Sequence, residues 1–199
     1  MNPLFMHALA ARRIDALVIG ASAGGIAALL AILPALAFRY TFPVIVVLHL
    51  PDDGDSRLPE VLAQRLGMLV EEAKDKHPAL GGVIYVAPCG YHLSIEPDRH
   101  FSLSREEPVH FSRPAIDILM TSAADVYRSS MAGILLTGAS ADGAVGMERI
   151  SAAGGLTIVQ HPDEAEVATM PLRAIAARAP TLILTLSQIH ELLSMLEIH

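Results

Sequence analysis

Tryptophan is absent from this 199-residue chain, and cysteine occurs once, at Cys89. A single thiol cannot form an intramolecular disulfide, which fits a reducing compartment. Its setting, Val86-Ala87-Pro88-Cys89-Gly90, is a strand end meeting a turn, so the residue reads as structural. Aromatic residues make up only 5% of the sequence, while Ala, Leu, Ile and Val dominate the 52% that is hydrophobic. That balance suits helices laid on a parallel sheet of aliphatic strands. Positive charge is in deficit, with a formal net charge of −7. A general nucleic-acid binder needs a basic face, so no nucleic-acid partner is expected.

Long apolar runs are also missing. Pro34, Arg39 and Pro43 interrupt the longest candidate, which falls short of the roughly 20 residues a membrane-spanning helix needs. The N-terminal order, apolar residues before Arg12 and Arg13, is the reverse of a signal peptide. The expectation is a soluble, cytoplasmic chain with no membrane insertion. His7, His77, His92, His100, His110, His161, His190 and His199 lack the short paired spacing that preorganises zinc ligands. No metal and no cofactor is expected, and His161 merely stands at a strand end where a pocket wall could form. No repeat or interdomain linker is visible, and the length suits one domain over residues 15–199 behind an N-terminal extension, 1–14.

What the chain does contain is Asp15-Ala16-Leu17-Val18-Ile19-Gly20-Ala21-Ser22-Ala23-Gly24-Gly25-Ile26, a buried-strand pattern that ends in a glycine-bracketed serine leading into a helix. Glycine permits the tight bend, and a helix start offers unpaired N–H groups to whatever the serine faces. Such a serine can attack a carbonyl, or the same letters can cradle a phosphate.

The remaining pattern predicts an α/β fold with a doubly wound, mainly parallel sheet flanked by helices. Strands are predicted at 16–19, 43–48, 69–73, 132–137, 156–160 and 181–184. Helices are predicted at 24–36, 58–66 with Ser56 or Asp55 as cap, 115–127 with Pro114 in its first turn, 144–153, 171–177 and 187–198. Short alternating runs at 83–87, 92–95 and 100–103 predict a short antiparallel meander.

Ser22, His49 and Asp142 each follow a strong parallel-strand candidate, and ligands gather at the carboxyl ends of strands in such sheets. Gathered on one rim, the three would serve as nucleophile, general base and orienting carboxylate. Each also has an ordinary reading: Ser22 and Asp142 as helix caps, His49 as a satisfied structural residue. Their chain order differs from the Ser, Asp, His order of α/β-hydrolases, which argues for another fold.

The ordered blocks Ile19–Gly25, His49-Leu50-Pro51, Gly82–Pro88 with His92, Ser112-Arg113-Pro114-Ala115-Ile116-Asp117, Leu136–Met147 and Met170-Pro171 resemble the catalytic domain of the CheB chemotaxis protein-glutamate methylesterase family. The resemblance covers about residues 15 to 190. It implies a serine esterase with Ser22 as nucleophile, His49 as base and Asp142 orienting His49. It further implies an oxyanion hole from the backbone N–H groups of Ala23 and Ala139. The implied substrate is a methylated chemoreceptor-like protein, with glutamine deamidation as a second activity.

Family members often carry Thr, Met and Asn where this chain has Ala23, Ala139 and Ala141. Backbone donors survive such changes, so a roomier pocket or altered activity is expected. The acidic loop Pro51-Asp52-Asp53-Gly54-Asp55 would disfavour acidic helices. The receiver domain that usually precedes this catalytic domain is not in the sequence, which implies control by a separate regulatory protein, no such control, or a fragment. The competing readings are a noncatalytic CheB-like interaction module and a nucleotide-binding loop, the latter weakened by the missing Walker lysine.

Overall fold

The β-branched and aliphatic runs of the sequence become strands buried on both faces. The structure, a computed structural model, describes residues 3–10, 12–36, 40–49 and 57–196. The elements of the first half are α1 (Pro3–Leu9), β1 (Ala16–Ala21), α2 (Gly25–Ile32), β2 (Val44–Leu48), α3 (Leu58–Leu66), β3 (Val70–Glu72), β4 (Ile84–Val86), β5 (His92–Ile95) and β6 (Phe101–Ser104). There follow α4 (Ile116–Tyr127), β7 (Met131–Leu135), α5 (Ala144–Ala152), β8 (Leu156–Gln160), α6 (Thr169–Ala177), β9 (Leu182–Leu184) and α7 (Leu186–Met195).

Seven strands form one parallel sheet in the order β3-β4-β2-β1-β7-β8-β9. The chain leaves β1 towards β2 on one side and returns to place β7 on the other. Doubly wound folds bind their ligands where the strand order reverses, which here is the carboxyl ends of β1 and β7.

Side chains alternate across a strand, so each apolar run feeds two cores. Leu17, Ile19, Val44 and Val46 pack with Leu29 and Ile32 of α2 and Ile189, Leu192 and Leu193 of α7. Ala16, Val18, Ile45 and Val47 pack on the opposite face with Ile116, Leu119 and Met120 of α4 and Ile150 of α5. All of these residues are fully buried, and each large aliphatic among them contributes on the order of 1.5–3 kcal/mol. No helix among the described residues is long and apolar enough to cross a membrane.

Three expectations are corrected, concerning the run at 83–87, Pro114 and the helix from residue 24. The run at 83–87 is not part of an antiparallel meander: β4 inserts between β2 and β3 in the parallel sheet, and only β5 and β6 pair antiparallel. Ile84, Tyr85 and Val86 are buried on both faces, the property of a central parallel strand. Within the N-terminal extension, residues 3–9 form a helix that sends Phe5, Ala8 and Leu9 into the core. Pro114 lies outside α4, whose N-cap is Ala115. The helix begins where the Asp142 carboxylate accepts the N–H groups of Ile116 and Asp117.

The predicted helix 24–36 is α-helical only to Ile32 and then tightens into a 3-10 turn around Pro34. Asp55 and Ser56, the expected caps of α3, and the acidic stretch 51–55 lie outside the described residues. Arg57 holds the N-cap position without a side-chain bond, and Gly67 ends the helix in the left-handed conformation.

Candidate functional site

The register of β1 and β2 brings two of the expected residues side by side. Ala21 pairs with Leu48, and the His49 N–H donates to the Ala21 carbonyl at 3.0 Å, so Ser22 and His49 leave adjacent strands at the same level. Ser22 and His49 follow the parity of Val18 and Val47, which face α4. On the other side the Ser22 N–H donates to the Thr137 carbonyl at 2.9 Å, tying the serine to the loop after β7.

Asp142 comes from that loop and meets His49, whose Nε2 lies 2.8 Å from Oδ2 of the carboxylate. Asp142 is fully buried and accepts two further hydrogen bonds, from the N–H of Ile116 at 2.7 Å and of Asp117 at 2.9 Å. These two groups begin α4, whose dipole favours an anion there. Burial alone would raise the Asp142 pKa, but the His49 hydrogen bond and the two backbone donors outweigh it and hold the carboxyl below its ordinary value. An ionised, acceptor-only Asp142 makes His49 Nε2 the donor and leaves Nδ1 as the basic nitrogen. Nδ1 faces Ser112 Oγ at 3.3 Å. Among the described residues no hydrogen bond joins Ser22 Oγ to His49, so the structure brings together two of the three predicted residues directly and the third by strand register.

Two glycines are required where they stand. A Cβ on Gly138 would sit 2.9 Å from Ser22 Cβ and 2.6 Å from Met170 Cε. Gly24 adopts φ of 77°, and a Cβ there would meet Glu166 Oε2 at 2.7 Å. The loop carrying Gly138 is braced throughout. Thr137 donates its N–H to Gln160 Oε1 at 2.8 Å and its hydroxyl to the Ala23 carbonyl at 2.8 Å, while Gly138 N–H donates to the Val167 carbonyl at 3.0 Å. Among the described residues no acceptor takes the N–H of Ala23 or of Ala139, and both residues are exposed. They flank Ser22 from its own turn and from the Gly138 loop.

Sequence reasoning assigned no role to several residues that shape the site. Ser112 contacts His49, and Asp117 reciprocates Asp142: its Oδ1 accepts the Gly146 N–H at 2.7 Å in the first turn of α5, while Asp142 serves α4. Burial raises Asp117 to about 6, with the nearby Asp142 charge adding to it and backbone N–H groups opposing. An Asp in a helix's first turn is a visible signal, but its reach to a second helix is not. His92 is fully buried and structural, accepting the Ala115 N–H on Nδ1 at 3.2 Å and donating from Nε2 to the Glu107 carbonyl at 3.1 Å. His161 follows β8 and accepts the Asp163 N–H at 3.3 Å within its own turn. A cavity of about 510 Å³ lined by Arg12, Arg13, Asp15, Arg99 and Tyr127 lies at the opposite end of the strands, away from these residues.

A doubly wound sheet that sets serine and histidine on adjacent strand ends, with a buried carboxylate on the histidine, is an arrangement that hydrolase chemistry can use. The sequence model of the CheB methylesterase family matches residues 17–193, and the chain belongs to that family. A Leptospira interrogans protein provisionally named protein-glutamate methylesterase/protein-glutamine glutaminase is 43% identical over 178 residues, covering 89% of this chain and 92% of that protein. A Methanosarcina mazei protein-glutamate methylesterase/protein-glutamine glutaminase 1 is 36% identical over 169 residues, 81% of this chain but only 46% of that protein. The crystal structure of the Thermotoga maritima CheB methylesterase catalytic domain superposes with a TM-score of 0.87 at 30% identity, covering 92% of this chain and 98% of that one.

Proposed function

We propose that this chain is a cytoplasmic serine esterase that removes methyl groups from glutamate side chains of a chemoreceptor-like protein. The observation that carries the reading is the 2.8 Å contact between His49 Nε2 and Asp142, which leaves Nδ1 as a base beside the adjacent strand end that bears Ser22. In this mechanism Ser22 Oγ attacks the ester carbonyl while His49 Nδ1 takes its proton, and Asp142 fixes the tautomer and steadies the imidazolium. The N–H groups of Ala23 and Ala139 receive the developing oxyanion. His49 then returns the proton to the departing methoxide, methanol leaves, and water activated by His49 hydrolyses the acyl-enzyme to glutamate and free Ser22. A glutamine amide enters the same sequence with ammonia as the leaving group, which supports deamidation as a second activity.

Methanol release from a methylated receptor cytoplasmic fragment tests the reading. Wild type is expected to release methanol at least about 10³ times faster than Ser22→Ala, the scale set by removing a nucleophile. Equal rates would instead establish a noncatalytic module that keeps the fold.

A further inference from the structure

Phe111 has no counterpart among the described phenylalanines. Phe5, Phe42 and Phe101 are at most 4% exposed, whereas Phe111 is 103% exposed. Its backbone is strained as well, because His110 and Phe111 have φ of 50° and 63°, a pair of left-handed conformations that two-residue hairpin turns normally assign to Asn and Gly. The turn cannot relax easily. Val109 and Ser112 exchange both backbone hydrogen bonds, at 3.1 and 2.9 Å, and the flanking side chains are anchored inward. Ser112 Oγ reaches His49 Nδ1 at 3.3 Å, and His110 Nε2 lies 3.7 Å from Asp117 Oδ2. A closed turn with its neighbours fastened to the site and its aromatic ring in solvent gains nothing from that ring within the chain. Strain held at such a place points to function.

From these relations we infer that Phe111 is an anchor for the protein substrate, packing against an apolar side chain on the same face of the helix that carries the methylated glutamate. The inference rests on the esterase reading above. Phe111 immediately precedes the serine that contacts His49, so the ring stands at the edge of the site that a protein offering its ester to Ser22 would meet. A small ester needs only Ser22 and His49, whereas a folded protein substrate also covers the surface around them. Exposed apolar residues also occupy the first turns of α2, α5 and α6, which follow β1, β7 and β8: Ile26, Val145 and Leu172. The carboxyl rim of the sheet thus presents an apolar margin to a helix, with Phe111 as its most prominent member.

The test compares a methylated receptor cytoplasmic fragment with a tripeptide bearing a γ-glutamyl methyl ester, for wild type, Phe111→Ala and Phe111→Leu. The ratio of the two kcat/KM values, protein over peptide, is expected to fall about tenfold in Phe111→Ala, chiefly through KM, as for an aromatic hot spot. Phe111→Leu should restore most of it. An equal loss on both substrates, or an unchanged ratio, overturns the inference. Binding of the fragment in a Ser22→Ala background, with and without Phe111→Ala, gives a readout independent of turnover: about tenfold weaker binding supports the anchor, and equal binding overturns it. Wild type that binds the fragment through Phe111 but hydrolyses neither ester refutes the esterase reading alone. Loss of self-association in Phe111→Ala, with fragment binding intact, would assign the ring to a second copy of the chain and overturn the inference.

Discussion

Ser112 Oγ lies 3.3 Å from Nδ1 of His49, the one imidazole nitrogen that Asp142 leaves free to accept a proton. In the proposed mechanism Ser22 uses the same lone pair when it attacks. The two hydroxyls therefore compete, and a net hydrogen bond of about 0.5–1.5 kcal/mol bounds the competition at roughly tenfold. Ser112→Ala is expected to speed reaction of Ser22 with a fluorophosphonate by about 2–10-fold, measured as a second-order labelling rate. Slower labelling would show that Ser112 orients the ring instead of occupying it.

Asp142 joins the site to the fold, since its carboxylate serves His49 and the start of α4 together. Asp142→Asn keeps the shape but cannot accept from three donors with a charged group, and its amide can force the wrong histidine tautomer. Activity should fall about 10³–10⁴-fold by the precedent of triad carboxylates, and urea unfolding should report a loss of about 1–3 kcal/mol at pH 7. Retained activity would remove Asp142 from the proposed mechanism.

The two buried carboxylates predict opposite contributions to stability against pH. Asp142 has a lowered folded-state pKa, so its stabilisation is present above the unfolded value and is lost as pH falls through the folded one. Asp117 is raised from 3.8 to about 6, so the unfolded chain ionises first and a penalty develops between those values as pH rises. In Asp117→Asn that penalty disappears. Urea midpoints should show the variant gaining on wild type from about pH 4 to 6 and running parallel above it; curves parallel throughout would contradict the assignment.

Gly138 permits the close approach of the loop after β7 to the serine turn. In Gly138→Ala the new Cβ meets Ser22 Cβ at 2.9 Å and Met170 at 2.6 Å, so Ser22 or the loop bearing Ala139 must move. Overpacking of this kind costs about 1–3 kcal/mol of stability, and displacing an oxyanion donor costs about 10²–10³ in kcat. Methanol release and thermal unfolding check both; full activity would show that the loop does not hold the oxyanion.

Much of this arrangement was legible in the sequence. Continuous β-branched runs mark β1, β2 and β8 because parallel strands are buried on both faces, and the predicted bounds of α3 match the structure. Patterns within a segment do not tell which strand it will join. Ile84–Val86 sits next to turn-rich hairpin sequence yet inserts between β2 and β3, a choice made by tertiary packing. The helix at Pro3–Leu9 is too short to show periodicity, and packing of Phe5 and Leu9 sustains it. Ser22 and His49 were visible as polar residues closing apolar strands, and Asp142 as the acid in the turn after β7. Ser112 and Asp117 were not distinguishable as site residues, since their roles arise from contacts across 63 and 29 positions of chain.

Intact-protein and peptide mass spectrometry after fluorophosphonate treatment tests the esterase mechanism most directly, because it reads the nucleophile without requiring the natural substrate. One adduct per chain on Ser22, abolished in His49→Ala, is the predicted result. Absence of any adduct, or labelling of Ser112 in place of Ser22, would contradict it.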